Sequence, residues 1–413
     1  FASLLLYPLA IEPVLPVRLQ TQGWAIGFGL LGTFIAAAAW LAMLNPGRAI
    51  AATASGVEDE ARPTGRDVLG WIGLSFVPSG LLVAVTAHIS TDVAAAPFLW
   101  VAPLAIYLAT FIVAFRDPLP FRLDALERVL PPFAAFIIFN LAFPFHNIAV
   151  ALALHLGFLL VVTLICHGRL YGRRPAARHL TSFYLWMSFG GVLGGAFCGL
   201  AAPFLFNKVT EYPLLALAAL CCLPAVRDAG RAALIRQAGP LVLAALALSA
   251  VMLADRTLLP YPGAPLILAG LVTLGVALFR KPLVSAGAAA AIAMLSLASA
   301  GEAEFHRSFF GVHKVGVNAD GTYRQLSHGT TLHGSILIRN ADGAPLPARP
   351  EPTTYYNAKA PMAEALRTIQ ARDASARSFG VVGLGAGSIV CNGRPQDRWA
   401  YFEIDPTVVR LAS

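Results

Sequence analysis

The residues with the clearest chemical potential lie near the end of the chain, in Val381-Val382-Gly383-Leu384-Gly385-Ala386-Gly387-Ser388. An apolar strand, Phe379–Leu384, runs into closely spaced glycines. Tyr401-Phe402-Glu403-Ile404-Asp405 follows as a second strand ending in acids. Glycine lets the backbone turn sharply and approach a ligand with no Cβ in the way. The helix expected next points its free N–H groups at that ligand. A carboxylate at the tip of the following strand, from Glu403 or Asp405, can accept both ribose hydroxyls of a nucleoside. Ser388 stands where the dinucleotide fingerprint GxGxxG has its third glycine, so the spacing is GxGxG. That is the pattern of an S-adenosylmethionine-type site. The plain alternative is a glycine turn between strand and helix with no ligand.

A second set of chemical residues sits among apolar runs. His88 and Asp92 are four residues apart between two of these runs, with Asn140, His146, Asn147 and His155 nearby in sequence. Ionisable groups at membrane depth are costly and mark proton or substrate paths. The alternative is that they occupy short interfacial turns wetted by water. No third ligand is spaced to complete a metal site with them. The five cysteines include no CxxC pair, and four lie in or beside apolar runs, which suits packing better than metal or disulfide chemistry.

The elements that must position these groups follow from composition. The 413 residues are 57% hydrophobic and only 13% charged, with a mean hydropathy of +0.68. A soluble domain carries about a quarter charged residues, so the chain reads as a polytopic α-helical membrane protein. Its partner is a lipid bilayer. The net charge of +8 belongs to arginines in short loops, as the positive-inside rule expects, and not to a nucleic-acid surface.

About ten or eleven spans are expected. They are a partial one at Phe1–Pro16, then Trp24–Leu44, Leu69–Ala87, Val93–Phe115, Leu130–Phe145, Ile148–Cys166, Phe183–Phe206, Tyr212–Ala225, Leu241–Ala254, Leu266–Phe279 and Leu283–Ala300. Loop charge alternates: Arg48, Arg62 and Arg66 in one loop, none at His88–Asp92, then Arg116, Arg122 and Arg128. Taken literally, the alternation puts everything after Ala300 outside the cell. Nucleotide chemistry would require the cytoplasm. Either Tyr212–Ala225, short and flanked by Pro213 and Pro224, is a re-entrant segment, or the rule fails at the weakly charged Arg280–Lys281 loop. Gly191, Gly195 and Gly199 form two overlapping GxxxG steps with Gly190 and Gly194 beside them, a face for close helix packing or for a homodimer.

Past Gly301 the pattern becomes that of a soluble domain. Phe309–Val317 and Tyr323–Ser327 alternate as strands around the turn Asn318-Ala319-Asp320-Gly321, and Thr331–Ile338 reads as a third. Asn340–Pro352 is a proline-rich loop, and Ala358–Ala371 has helical apolar spacing. The expected organisation is a membrane domain at 1–301, a small β-rich part at 302–357, and at 358–413 the start of a doubly wound, Rossmann-like α/β domain. The chain begins without Met and stops shortly after a strand, so it is expected to be a fragment at both ends.

The glycine strand with Phe402-Glu403-Ile404-Asp405 resembles spermidine synthase, the polyamine aminopropyltransferase family. More specifically, the chain resembles its membrane-fused bacterial branch, the fused major-facilitator/spermidine-synthase type. The carrying blocks are Glu12-Pro13 with Leu15-Pro16, His88-Ile89-Ser90-Thr91-Asp92 before Leu99-Trp100, and Phe183-Tyr184-Leu185-Trp186-Met187-Ser188 before Gly190-Gly191. Further blocks are Arg307-Ser308-Phe309-Phe310-Gly311-Val312, Tyr323-Arg324-Gln325-Leu326, His328-Gly329-Thr330-Thr331-Leu332-His333-Gly334 and Thr354-Tyr355-Tyr356.

The resemblance implies transfer of an aminopropyl group from decarboxylated S-adenosylmethionine to a diamine such as putrescine, without a metal. Gly383, Gly385 and Gly387 would form the nucleoside loop, Glu403 would hold the ribose, and Tyr355, Tyr356 and His333 would face the amine. It also implies a bacterial inner-membrane protein with a cytoplasmic soluble domain. Where the family has a Gly-Pro-x-Gly turn after its tyrosines, this chain reads Ala360-Pro361-Met362-Ala363. The family's catalytic aspartate would lie beyond Ser413. Other readings are a polyamine transporter or sensor with a non-catalytic nucleoside domain, and an S-adenosylmethionine-dependent methyltransferase.

Overall fold

The computed structural model describes residues 2–44, 62–94, 96, 98–145, 147–243, 246, 282–298, 303–318, 320–340, 342, 344, 346, 351–372, 375 and 377–412. In a bilayer every backbone polar group must be satisfied internally, which leaves the helix as the form for these apolar runs. Five described helices are long and apolar enough to cross: Val17–Leu41, Gly65–Val93, Leu123–Ala142, Ile148–Tyr171 and Ala177–Leu205. Ala2–Val14, Val101–Ala114, Glu211–Cys221 and Pro282–Ala293 are apolar but shorter. The expected spans of ten or eleven thus reduce, among the described residues, to five of full length. Leu266–Phe279 lies outside the described residues, as does nearly all of Leu241–Ala254.

We label the central helices α1 (Gly65–His88), α2 (Leu123–Ala142), α3 (Ile148–Tyr171), α4 (Leu180–Ala196) and α5 (Glu211–Cys221). Helix α1 begins with a capping box: Asp67 N–H donates to Thr64 Oγ1 and Asp67 Oδ2 accepts from Thr64 N–H at 2.9 Å. It then runs through the middle of the bundle, burying Trp71, Leu81 and Val85 against Ile137, Phe158, Val162, Phe183 and Tyr212. By contrast, Val17–Leu44 presents its apolar surface outward, with Trp24, Phe28 and Phe34 largely exposed, as a lipid-facing helix does.

The close contact between α1 and α4 is made by glycine, one position away from the expected face. A Cβ on Gly190 would lie 2.5 Å from Ile72 O, and one on Gly194 would lie 2.2 Å from Phe76 O. Gly191 and Gly195 come only to 4.0 Å from Ser79 Oγ, and Gly199 meets nothing within 4 Å. The packing step is therefore Gly190-x-x-x-Gly194. Ser79 Oγ donates to Gly191 O at 2.8 Å across the same seam.

The arginine-rich loops gather at one end of the bundle. Trp71 Nε1 donates to Arg173 O at 3.0 Å. The carboxyl of Asp228 is held below its ordinary value, first by its hydrogen bonds to Arg227 and in smaller part by Arg66 and Arg169. At the other end, Glu211 meets Arg307 and Thr91 O accepts from Thr330 N–H. The segment Glu211–Arg227 therefore runs from one end of the bundle to the other. That corrects the re-entrant reading of Tyr212–Ala225. A short α5 followed by the helical turn Pro224–Arg227 covers the distance because Tyr212, Leu215, Ala219 and Leu223 are packed in the core and need no lipid-length helix.

Against the arginine-poor end sits a four-stranded antiparallel sheet in the order β1 (Glu304–Ser308), β2 (Gly311–Val317), β3 (Tyr323–His328) and β4 (Thr331–Leu337). Asn318 Oδ1 accepts from the N–H groups of Thr322 and Tyr323, and Gly321 takes φ +70°, which fixes the β2–β3 turn. After α6 (Pro361–Arg372), β5 (Ser378–Val382) pairs in parallel with β6 (Arg398–Phe402), followed by α7 (Pro406–Ala412). The molecule is thus mostly helical, with a small sheet region at one end of a membrane bundle.

Candidate functional site

Parallel pairing of β5 and β6 brings the glycine loop and the acidic strand end side by side, with Gly383 N–H donating to Phe402 O at 2.9 Å. Gly383, Gly385 and Gly387 all adopt left-handed backbone, with φ of +85°, +55° and +68°. L-residues with a Cβ are strained there, so this is a requirement for glycine and not a preference. The expected α-helix after the loop is instead a five-residue 3-10 segment, Ser388–Asn392. Gly393 ends it, pressed so close to Trp399 that a Cβ would lie 2.7 Å from the indole.

Glu403 is held beneath the loop. Its Oε2 accepts from Leu384 N–H at 2.8 Å and its Oε1 from Asp405 N–H at 2.9 Å. Burial alone would raise its pKa, but backbone donors from Asp405, Leu384 and Ile404 outweigh it and hold the carboxyl below its ordinary value. Each oxygen keeps a second lone pair for a further donor.

Asp405 is differently committed. It is buried, with Oδ2 accepting from Ser308 Oγ at 2.5 Å and from His313 Nε2 at 3.0 Å, and Oδ1 accepting from Thr407 N–H at 2.8 Å. Its carboxylate caps α7 and joins β1 and β2 to the α/β unit. Burial opposes ionisation here too, and the bonds from Ser308, Thr407 and His313 prevail, leaving its pKa lowered.

The three residues expected to face a second substrate converge on the loop. A Cβ on Gly385 would lie 3.4 Å from Tyr356 Oη, 3.9 Å from Tyr355 Oη and 4.0 Å from His333 Nδ1. His333 Nδ1 and Tyr355 Oη are 3.3 Å apart. Asn392 Nδ2 donates to Tyr356 O at 2.8 Å, and Tyr401 Oη donates to Gly387 O at 3.0 Å, which tie the tyrosine turn to the loop. Gly334 on β4 is equally necessary, since a Cβ there would lie 2.4 Å from that of Ala386. Burial, with help from Tyr356, pushes Tyr355 up to about 12, so at neutral pH it is a phenol donor. Burial first, and His313 second, lower His333 against the pull of Glu403, so it is a neutral base.

A second polar constellation, only partly legible in sequence, lies inside the bundle. The π-helical turn Ile89–Val93 carries Asp92 back beneath His88, whose Nδ1 is 3.0 Å from Asp92 Oδ2. His88 Nε2 is 3.2 Å from His155 Nε2, and His155 Nδ1 is 2.9 Å from Tyr212 Oη. Sequence pointed to His88 and Asp92 as a pair four residues apart, and to His155 only as a neighbour in sequence. Tyr212 had no signal, because its partner is 57 residues away on another helix. Asn147 caps α3 through Val150 N–H, and Asn140 donates to Phe143 O, so neither joins the chain. His146 lies outside the described residues.

Asp92 opens onto a cavity of about 860 Å³ between the bundle end and the sheet, walled also by Glu211, Lys208, Arg307 and Lys314. Arg307 spans the junction with a bidentate pair to Glu211 at 2.6 and 2.8 Å, both side chains nearly fully buried. Comparison with protein-family models, with curated proteins and with solved structures finds no match to this chain.

Proposed function

We propose that this chain carries the membrane domain and the nucleoside-binding part of a membrane-bound aminopropyltransferase of the spermidine-synthase type, using decarboxylated S-adenosylmethionine and a diamine. The observation that supports it best is the convergence of Tyr355, Tyr356 and His333 on Gly385, beside Leu384, whose N–H is held by the Glu403 carboxylate. The glycine loop would receive the nucleoside, Glu403 its ribose hydroxyls, and the tyrosine–histidine wall the amine. The amine must lose a proton to attack the carbon beside the sulfonium, and His333 is a neutral base on that wall. Positioning nucleophile and carbon in line would supply much of the rate.

Strands β5 and β6 expose Val382 and Phe402, the side on which a doubly wound, Rossmann-like sheet carries further elements. The related reading as an S-adenosylmethionine-dependent methyltransferase uses the same loop and differs in donor. The buried His88–His155–Tyr212 chain, ending on Asp92 beside a cavity, favours a transporter or sensor as the second reading.

Calorimetry on the chain in lipid nanodiscs tests the nucleoside assignment. Decarboxylated S-adenosylmethionine or methylthioadenosine should bind, and Glu403→Ala should weaken binding by about 1.5–3 kcal/mol, the worth of a charged hydrogen bond. Equal affinity in the two proteins would remove the ribose role. An aminopropyl donor made in the cytoplasm requires the sheet to face that compartment, most simply at a bacterial inner membrane. The sheet lies at the arginine-poor end, so this orientation runs against the positive-inside rule. A cysteine introduced at Asp342, with the native cysteines removed, should then resist a membrane-impermeant thiol reagent in intact cells. Labelling there would overturn the cytoplasmic reading.

A further inference from the structure

The four-residue chain in the bundle has a direction. Two Nε2 atoms in contact can share only one proton, so one histidine donates and the other accepts. If His88 gives its Nδ1–H to the Asp92 carboxylate, its Nε2 accepts from His155 Nε2–H, and His155 Nδ1 accepts from the Tyr212 hydroxyl. Every donor then points toward Asp92, and both histidines are satisfied while neutral. Tyr212 and His155 are fully buried and His88 nearly so, whereas the Asp92 side chain is 39% exposed. The chain ends at the cavity, on a carboxylate whose Oδ1 has no hydrogen-bond partner among the described residues.

The charges around that carboxylate define what it can receive. Glu211 is spent on Arg307, and Lys208 and Lys314 add two positive charges on the sheet side. His328, on β3, lies close enough to Asp92 to feel its charge. A second ammonium placed in the cavity would meet repulsion and no free acid. Much of the remaining wall is apolar, including Leu141, Phe143 and Leu217, with the hydroxyl residues Thr210, Ser308 and Thr330 among it. A cavity of this size suits a small molecule.

We propose that the cavity is a site for a primary monoamine with a short apolar body, whose ammonium group pairs with the Asp92 carboxylate. His88, His155 and Tyr212 are positioning residues that hold the carboxylate facing the cavity. The inference is independent of the nucleoside loop.

The test uses the whole chain in nanodiscs, with n-butylamine as probe in calorimetry. n-Butylamine should bind, and Asp92→Asn should bind it roughly tenfold or more weakly, as expected for loss of a charged hydrogen-bond partner. Asp92→Glu, which keeps the carboxylate, should retain binding. No binding in the wild type, or equal affinity in Asp92→Asn, would each overturn the proposal. Glu403→Ala should leave butylamine binding unchanged, so this site and the nucleoside site fail separately.

Discussion

Glycines cluster in two places in this molecule for opposite reasons. At Gly190 and Gly194 the backbone is ordinary helix, and what the residue supplies is the absence of a Cβ against the backbone of α1. At Gly383 and Gly387 there is room for a Cβ, but the backbone itself is left-handed. One cluster is about space and the other about conformation. Substitutions should separate them, because the first threatens the bundle and the second mainly the loop.

The largest effect is expected from Gly194→Leu. The opposing atom, Phe76 O, belongs to a helix backbone and cannot swing aside. The cost should exceed the about 1–3 kcal/mol usual for overpacking, and little folded protein should survive extraction and size-exclusion chromatography. Gly195→Leu, one residue on, should melt like the wild type, since only Ser79 Oγ lies near it, at 4.0 Å. Reversed behaviour of the two variants would mean that the close face of α4 has been misidentified.

Arg307→Ala tests whether the two regions stand independently. It strands Glu211, a buried carboxylate, and breaking a buried pair by removing one partner costs about 3–5 kcal/mol. The loss should appear in the thermal unfolding of the bundle although Arg307 lies on β1, because Glu211 begins α5. Unchanged bundle melting would show that the sheet and the helices are not joined through this pair.

Gly385→Val should cost less in stability, about 1–2 kcal/mol for forcing a side chain into left-handed backbone. Its Cβ would also press on Tyr356 Oη at 3.4 Å. Nucleoside binding by calorimetry should therefore be lost at temperatures where the protein remains folded. Retained binding would show that the loop does not touch the ligand.

What could be read beforehand divides along the same line. Left-handed glycines announce themselves by local spacing after a strand, so the loop, β2 to β6 and the helix near 361–372 were legible in sequence to within a few residues. Strand β1 was missed because Glu304-Phe305-His306-Arg307-Ser308 has little alternation and is fixed by pairing with β2. The packing glycines were placed one residue off because both i and i+1 series satisfy GxxxG, and only the partner helix decides between them. Glu211–Arg307 and the His88–His155–Tyr212 chain join residues 57 to 96 apart, and no local pattern carries that information. Asp405 looked like a ligand for a nucleoside because its own ligands, Ser308 and His313, are equally remote.

The smallest effect is a pH dependence of the loop region. Glu403 and Asp405 both have lowered folded-state pKa values, so they contribute stability above the unfolded carboxyl range near about 4 that is lost as pH falls through their folded values. His328 and His333 are also lowered, by burial first, so the unfolded chain binds protons more readily than the fold once pH drops below about 6.5. Both pairs act in the same sense: acidification destabilises, first through the histidines and then through the carboxylates. The contact of Gly190 and Gly194 with α1 has no ionisable partner, so an acid response of the bundle would come from its buried histidines, His155 and His167. Proteins keeping only Trp399, stacked on Phe379 in the α/β unit, or only Trp71, set against Phe183 in the bundle, report the two regions separately. Acid should shift the Trp399 transition to lower temperature in two steps, and Glu403→Gln should diminish the more acidic one. A Trp399 transition that acid leaves in place, or an acidic step that Glu403→Gln leaves unchanged, would show that these groups do not stabilise the loop.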